Sequence, residues 1–442
     1  MIDMIKIHLF LLSFFIFVSF LSAQDLIVRD NFIMQGSTLV FYRGGEKELI
    51  IPGNLGITEV ADDAFRSRNI ESIIFPEGIV KIGKAFLYCY GLTEIFLPAS
   101  LQEIADGAFD DCTSLRNIYI DEENTVYSSD NGVLFSKDKT ILYRYLFAKH
   151  GTEYSVPEGV KQIWNSAFYY CRALRKITLP SSLKIIGDSA FLFCYYLGVI
   201  NFPESLETIG RRAFQNCERL YDIKIPASVS SIGFRAFSGC TMFGNISVDE
   251  NNNDYISIDG VLFDKQKTKL IQYPVRKSDR YYMIPFGVQE ICAGAFSNSQ
   301  LSLIMIPPTV TVIGEFAFSE CRNITSITIP PSVTEIEMYA FTYCRSLTSI
   351  SIPSSVKKIG RNVFSECRGL VRIFLHEGLL TIGENAFSWC TILTEITIPS
   401  SVITIGDYAF TQCSKLASAS ISRNTTLGKS VFPAGVEVIL RD

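Results

Sequence analysis

The sequence predicts a mostly β repeat solenoid, in which right-handed coils of about 23 residues stack and line a concave face with a parallel β-sheet. The first observation is an Ala-Phe pair that recurs along the chain, mostly at intervals of about 23 residues. The second is a Leu-x-x-Ile-x-Ile run before a Pro, which is typical of a short strand that ends at a residue without an amide proton. The third is a pair of matching insertions, at about 121–156 and 249–284, that interrupt the period.

The period at residues 347–367 shows how a coil is built. Leu347, Ile350 and Ile352 fall on one side of a strand because successive side chains alternate between its two faces. Phe364 then fills the back of the coil. A single coil cannot bury both of its faces, whereas stacked coils can, so stability is expected to come from neighbouring coils.

The two ends and the insertions define the predicted domain organisation. Residues 1–23 combine a short basic start, an uncharged apolar run and a final Ala, which is typical of a secretory signal peptide. A membrane anchor is the alternative, but the run falls short of the roughly 20 residues that span a bilayer. Residues 24–57 are expected to form a hairpin-like cap, and residues 58–442 the solenoid. Alternating apolar residues around a polar turn predict a β-hairpin in each insertion.

Composition excludes several classes of protein. The chain has 442 residues, is 48% hydrophobic and carries a net charge of −5, which argues against disorder and against non-specific nucleic-acid binding. If the signal peptide is removed, only His150 and His376 remain among the histidines, and neither recurs in a fixed relation to a Ser, Cys or carboxylate. We therefore expect no enzyme activity, no metal site and no cofactor.

Cysteine follows the repeat. Eleven of the twelve cysteines stand three residues after the repeated Phe, namely Cys89, Cys112, Cys171, Cys194, Cys217, Cys240, Cys321, Cys344, Cys367, Cys390 and Cys413. A disulfide framework is one interpretation for an exported chain. A ladder of buried free thiols is favoured, because side chains at one phase of a repeat point the same way, whereas a disulfide needs two that converge.

The outward position between the two Ile residues of each strand is the candidate binding surface. On the concave face it predicts a row that includes Phe96, Tyr119, Thr178, Asn201, Lys224, Met305, Thr328 and Phe374. Phe96 and Tyr119 lie on adjacent coils, and aromatic anchors are enriched at protein interfaces. The alternative is that scattered apolar residues are an ordinary feature of protein surfaces.

A second candidate row consists of arginines that follow the repeated Cys. Arg322, Arg345 and Arg368 lie on neighbouring coils, where they could bind an acidic polymer. Glu320 and Glu366 precede two of them by two residues. The favoured interpretation is therefore an edge whose charges neutralise each other, which contributes little binding energy.

The full repeat, Leu-x-x-Ile-x-Ile-Pro-x-Ser-Val-x-x-Ile-Gly-x-x-Ala-Phe-x-x-Cys, resembles the BspA-like class of leucine-rich repeat surface proteins over about residues 30–440. It departs from the ordinary leucine-rich repeat because Ser or Thr, such as Ser100 and Ser355, replaces the expected Asn. The resemblance implies a leucine-rich repeat solenoid that is secreted or held at the cell surface, in the periplasm or on the outer surface if the cell is bacterial. It also implies an adhesin that binds host matrix proteins or other cells. The alternative is an envelope or matrix component that binds copies of itself.

Overall fold

The computed structural model describes residues 26–146, 148 and 151–441. Within them the chain is a β-solenoid of short strands, and the one helical segment of this described part is a 3₁₀ turn at Gly53–Leu55. The predicted solenoid, with coils of about 23 residues and parallel sheets, is confirmed. The predicted signal peptide, residues 1–23, lies outside the described residues.

The chain divides into two compact units, Met1–His150 and Gly151–Asp442. In both units a typical coil contributes one long strand, from the Leu-x-x-Ile-x-Ile run, and one short strand of two residues, from the Val-x-x-Ile run. Equivalent strands of successive coils pair in parallel, as Glu153–Ser155 does with Lys176–Thr178. Each unit therefore carries a long-strand sheet and a short-strand sheet, the second of which the sequence does not predict.

Among the described residues of the first unit, three antiparallel strands come first, namely Leu26–Arg29, Phe32–Gln35 and Thr38–Tyr42. Its long strands are Glu48–Ile50, Ser72–Ile74, Glu94–Leu97 and Asn117–Ile120. Its short strands are Glu59–Val60, Lys81–Ile82 and Glu103–Ile104. The strands of the first insertion are Tyr127–Asp130, Val133–Ser136 and Ile141–Arg144.

The second unit is longer. Its long strands are Glu153–Ser155, Lys176–Thr178, Val199–Ile200, Asp222–Ile225, Asn245–Val248, Tyr281–Met283, Leu303–Met305, Ser349–Ile352, Arg372–Leu375, Glu395–Thr397, Ser418–Ser422 and Glu437–Arg441. Its short strands are Gln162–Ile163, Ile185–Ile186, Thr208–Ile209, Ser231–Ile232, Glu290–Ile291, Val312–Ile313, Glu335–Ile336, Lys358–Ile359, Thr381–Ile382, Thr404–Ile405 and Thr426–Leu427. The strands of the second insertion are Tyr255–Ile258, Val261–Asp264 and Lys269–Gln272.

The repeated Phe forms a column of stacked rings in each unit. Phe341 and Phe364 are fully buried, and their ring centroids lie 5.3 Å apart with planes at 9°. The backbone around the column is also bonded from coil to coil, because the amide of Phe341 donates to Val363 O at 2.9 Å. Burying a Phe side chain stabilises a fold by roughly 1.5–3 kcal/mol. The period in the sequence thus reflects one aromatic ring per coil.

Hydroxyl side chains link successive coils after the Pro turn. Ser355 Oγ donates to Val333 O at 2.5 Å, and Ser401 Oγ donates to Leu379 O at 2.7 Å. Each hydroxyl reaches the backbone of the preceding coil, where an unpaired buried carbonyl would cost about 1–3 kcal/mol. Most of the Ser and Thr that depart from the leucine-rich repeat pattern therefore satisfy backbone groups that the strands leave unbonded. Ser332 is an exception, because its buried hydroxyl forms no hydrogen bond with a described residue.

Each insertion contains three antiparallel strands, one more than the predicted β-hairpin. In the second unit, Tyr255–Ile258 pairs with Val261–Asp264, which pairs with Lys269–Gln272. The third of these strands pairs in parallel with the short strand Glu290–Ile291. The extra strand forms because it supplies the short-strand sheet of the following coils with a paired neighbour in place of an open edge.

Candidate interaction surface

The outward residues of the long strands lie where the sequence predicts them. Their side chains alternate with buried Ile residues, so they face solvent on the long-strand sheet. The exposed members are Tyr119, Thr178, Asn201, Lys224, Met305, Thr328 and Phe374, and the partly buried member is Phe96. These positions extend along both units and do not converge on one point in the way that the residues of an active site do.

Phe96 and Tyr119 form a stacked pair in the first unit. The two residues are register partners on adjacent parallel strands, and their ring centroids lie 4.6 Å apart with planes at 15°. The Tyr119 hydroxyl donates to Glu94 Oε1 at 3.4 Å, and Asn117 Nδ2 donates to the same oxygen at 3.2 Å. Desolvation and the Glu94 carboxylate raise the pKa of Tyr119 above its ordinary value. The pair is therefore a fixed aromatic platform with a polar rim.

Charges on this face are mostly paired. Lys224 Nζ lies 3.0 Å from Asp249 Oδ2 and 3.7 Å from Glu204 Oε1. The hydrogen bond to Asp249 is the main reason that the pKa of Lys224 is raised. Such a lysine adds polarity and orientation to the surface, but it is already neutralised before any partner arrives.

The arginine row is neutralised in the same way. Arg322 Nη2 lies 2.7 Å from Glu320 Oε2, and Arg368 Nε lies 2.7 Å from Glu366 Oε2. Arg345 Nη2 lies 4.0 Å from the same Glu366 oxygen. All three arginines are exposed, and each has a carboxylate partner. This geometry favours a surface whose charges neutralise each other over a binding site for an acidic polymer.

The eleven cysteines of the repeat are buried, and the structure has them as free thiols. Ten of them donate to the carbonyl of the repeated Phe one coil earlier, as Cys367 Sγ does to Phe341 O at 3.2 Å. Burial raises the pKa of the Cys367 thiol to about 12, so it stays protonated at neutral pH. Cys292, half-buried, is the exception, and its Sγ lies 3.7 Å from Glu290 Oε1.

One possible catalytic contact was not visible in the sequence. Ser351 Oγ and His376 Nε2 lie 3.1 Å apart on neighbouring coils, although 25 positions separate them in the chain. Neither side chain has a carboxylate partner among the described residues, so the contact lacks the group that orients a catalytic His. His150 lies outside the described residues. No group of three His, Cys, Asp or Glu in the described ranges could hold a metal ion.

Sequence reasoning missed most of an exposed apolar patch in the second unit. We call Tyr281, Met283, Phe286, Leu303 and Met305 the 281–305 patch. Tyr281 is opposite Leu303 and Met283 is opposite Met305 on two adjacent parallel strands. The exposed fractions of Tyr281, Met283 and Phe286 are 71%, 66% and 80%, although these side chains are among the more apolar types. Only Met305 was identified from the sequence, because the first three residues lie within or beside the predicted insertion.

A polar groove adjoins this patch. The 276–280 groove has a volume of about 540 Å³, and its polar lining includes Arg276, Lys277, Asp279, Arg280, Ser302 and Asn323. Lys277 is paired with Asp279 at 3.1 Å. Arg276 and Arg280 are exposed and form no ion pair with any described residue. The groove therefore has an uncompensated positive charge, in contrast to the arginine row.

One buried asparagine in each insertion bonds to backbone groups. Asn124 is fully buried, and its Nδ2 donates to Leu101 O at 2.9 Å while its Oδ1 accepts from Tyr127 N at 2.7 Å. Asn252 occupies the same place in the second insertion. Both side chains satisfy backbone groups. In the part of the chain that the structure describes, no helix is long and apolar enough to cross a membrane.

The model of the BspA type leucine rich repeat region matches residues 40–131, 140–269, 279–351 and 334–435. No curated protein matches the chain by sequence.

Three similar solved structures come from bacteria. A leucine rich cell surface protein from Faecalibacterium prausnitzii is 28% identical, with a TM-score of 0.54 over 90% of this chain and 92% of that one. A leucine-rich repeat protein from Eubacterium ventriosum is 22% identical, with a TM-score of 0.53 over 93% and 90%. The pneumococcal vaccine antigen PcpA is 22% identical, with a TM-score of 0.50 over 94% and 93%. The last two likenesses concern the fold alone. Because the family model covers most of the coils, the chain belongs to the BspA-type leucine-rich repeat family.

Proposed function

We propose that this protein is a secreted or cell-surface adhesin that binds matrix proteins of a host, or other cells, through the outward residues of its long-strand sheets. Many weak contacts along an extended face add up to useful affinity without any covalent chemistry. The likeness to a bacterial cell surface protein supports the location. The observation that carries the proposal is the solvent-facing stack of Phe96 and Tyr119.

The stack supports binding for a physical reason. Two rings with centroids 4.6 Å apart present a rigid apolar area, and Glu94 holds the hydroxyl end of Tyr119. Rigid aromatic side chains lose little entropy when a partner covers them, which is why they are common among interface hot spots. The coil itself needs only the buried Ile neighbours of these residues, such as Ile118.

The test is binding of the full chain to a panel of purified matrix proteins and to whole cells, measured by surface plasmon resonance and by cell adhesion. Phe96→Ala with Tyr119→Ala should weaken binding by about tenfold or more. Tyr119→Ala alone should do so in part, and it guards against a folding defect at the half-buried Phe96. The control is Glu250→Ala with Asn253→Ala, which changes two exposed polar residues outside the outward row.

Two outcomes would contradict the proposal. Equal binding by the stack variant and the control variant would remove the stack from the interface. A chain that binds no matrix protein or cell, and that sediments as a concentration-dependent multimer, would instead point to an envelope component that self-associates.

A further inference from the structure

Within the second unit, the coil after each insertion has the same internal plan and a different surface. Residues 153–178 and 281–305 are equivalent, and both keep an apolar inner row, with Ile177 and Ile304 buried. Outward positions differ completely. The first copy has Glu153, Ser155, Glu158, Lys176 and Thr178, whereas the second has the five members of the 281–305 patch. Folding the coil therefore does not require apolar residues at these positions.

Phe286 of the second copy illustrates this point, because the first copy has Glu158 at the equivalent position. Glu158 Oε1 accepts from Ser181 N of the next coil, and Glu377 binds the corresponding amide of Ser400 at 2.9 Å. Phe286 cannot accept a hydrogen bond, and the residue it would serve is Pro308, which has no amide proton. The donor that Glu158 serves is therefore absent here, and the Phe286 side chain is exposed to solvent.

We propose that the 281–305 patch and the 276–280 groove together bind an apolar segment of a partner protein that carries an acidic residue. This deepens the proposed function, on which it rests, by naming the chemistry of one partner. The patch would cover the apolar side chains of the segment, and its carboxylate would pair with Arg276 or Arg280.

Charge complementarity identifies the occupant. Arg280 and Ser302 directly precede the strands that carry the patch, and Ser302 N donates to Arg280 O at 2.8 Å, so the groove opens beside the patch. The two unpaired arginines give this site a net positive charge. A guanidinium and a carboxylate can form two parallel charge-assisted hydrogen bonds, and such bonds are stronger than hydrogen bonds between neutral groups. Tyr, Phe, Met and Arg are also the residue types enriched at protein interfaces.

The experiment selects random peptides displayed on phage against the full chain. One enriched peptide is then synthesised together with a counterpart in which Lys replaces its acidic residues, and both are measured by fluorescence anisotropy. We expect the enriched peptides to combine apolar residues with Asp or Glu, and the Lys counterpart to bind about tenfold more weakly or worse.

Two variants separate the halves of the site. Met283→Ser with Met305→Thr introduces the residues of the first copy and should weaken binding of the acidic peptide by about tenfold. Arg276→Gln with Arg280→Gln should remove the discrimination between the acidic peptide and its Lys counterpart. The matched control is Ser155→Ala at the position equivalent to Met283, which should bind the peptide like the unaltered chain.

Several results would overturn the proposal. These are a selection that enriches no acidic peptide, and binding that both patch variants leave unchanged. Two others would replace the occupant: patch-dependent binding to vesicles of phosphatidylglycerol and phosphatidylcholine without peptide binding, or patch-dependent self-association in sedimentation. Phe96→Ala with Tyr119→Ala should leave peptide binding intact, so failure of the adhesin proposal at that stack is distinguishable from failure here.

Discussion

The coils that follow the two insertions, residues 153–178 and 281–305, are the most informative pair in the second unit. Their inner residues are equivalent and buried, whereas their outer residues are polar in the first coil and apolar in the second. In the first, Lys176 Nζ and Glu153 Oε2 form an exposed ion pair at 3.5 Å. In the second, Tyr281 and Leu303 take the same places. Stability and recognition therefore depend on opposite faces of the same strands.

The largest expected effect is on a residue that both insertions share. Asn252→Ala removes bonds to Pro226 O and Val229 O and leaves the amides of Asp254 and Tyr255 without their acceptor. We expect the free energy of unfolding to fall by about 3 kcal/mol, because the two carbonyls that lose their donor are buried. The measurement is the urea unfolding midpoint.

Asn124→Ala is the matched variant, because its contacts in the first insertion are the same in kind. We expect a loss of similar size. If only one of the two Asn variants were less stable, the buried hydrogen bonds of the two insertions would not be equivalent.

The next largest effect on stability concerns the Tyr at the start of the first strand of each insertion, Tyr127 or Tyr255. The Tyr255 hydroxyl accepts from Ile232 N at 2.8 Å, and the Tyr127 hydroxyl accepts from Ile104 N at 3.1 Å. Each hydroxyl satisfies the amide of the last short strand before the insertion. Tyr255→Phe and Tyr127→Phe should each cost about 1 kcal/mol, measured by thermal unfolding. A variant as stable as the unaltered chain would mean that water replaces the hydroxyl.

A smaller effect is expected along the cysteine ladder, where the coil after the second insertion already has Ser299 in place of Cys. Cys367→Ser should cost less than about 1 kcal/mol, because a hydroxyl can also donate to Phe341 O. The pKa of the native Cys367 thiol is raised from 9.0 to about 12. Its stabilising contribution is therefore complete below about pH 9 and is lost as pH rises toward 12.

Unfolding midpoints measured across this alkaline range should fall less steeply for Cys367→Ser than for the unaltered chain. Equal slopes would contradict the assignment of the alkaline loss to the buried thiols. Thiol labelling of the folded protein at neutral pH gives an independent check, because a buried, protonated thiol should react only after unfolding.

The smallest expected effect on stability is the most informative about the two coils that follow the insertions. Met283→Ser with Met305→Thr should change stability by no more than about 0.5 kcal/mol, since exposed positions away from special contacts rarely contribute more. Thermal unfolding of this variant beside Ser155→Ala with Thr178→Ala provides the measurement. A loss of several kcal/mol would mean that the apolar patch supports the coil and is not kept for a partner.

Much of the fold could be predicted from the sequence, and less of the surface. Stacked Phe rings and buried Ile rows impose their spacing directly on the chain, so a coil such as 347–367 can be identified by its period. The third strand of each insertion could not be predicted, because Lys269–Gln272 is defined by pairing with a neighbouring coil. The role of Asn252 was missed for the same reason, since its partners lie 23 and 26 positions away.

The coil length, the inward and outward sides of most strands and the membership of a repeat class all follow from the amino-acid sequence alone. These follow from local alternation and from a period that every coil repeats. Which outward residues become neighbours, in contrast, depends on how the coils pack in three dimensions. Register places Met283 beside Met305 and leaves Arg280 unpaired next to them, whereas Arg368 meets Glu366. The sequence pattern of a single coil decides which of its side chains are buried. A surface patch, however, is formed by residues of different coils, so the distances between them depend on how the coils stack.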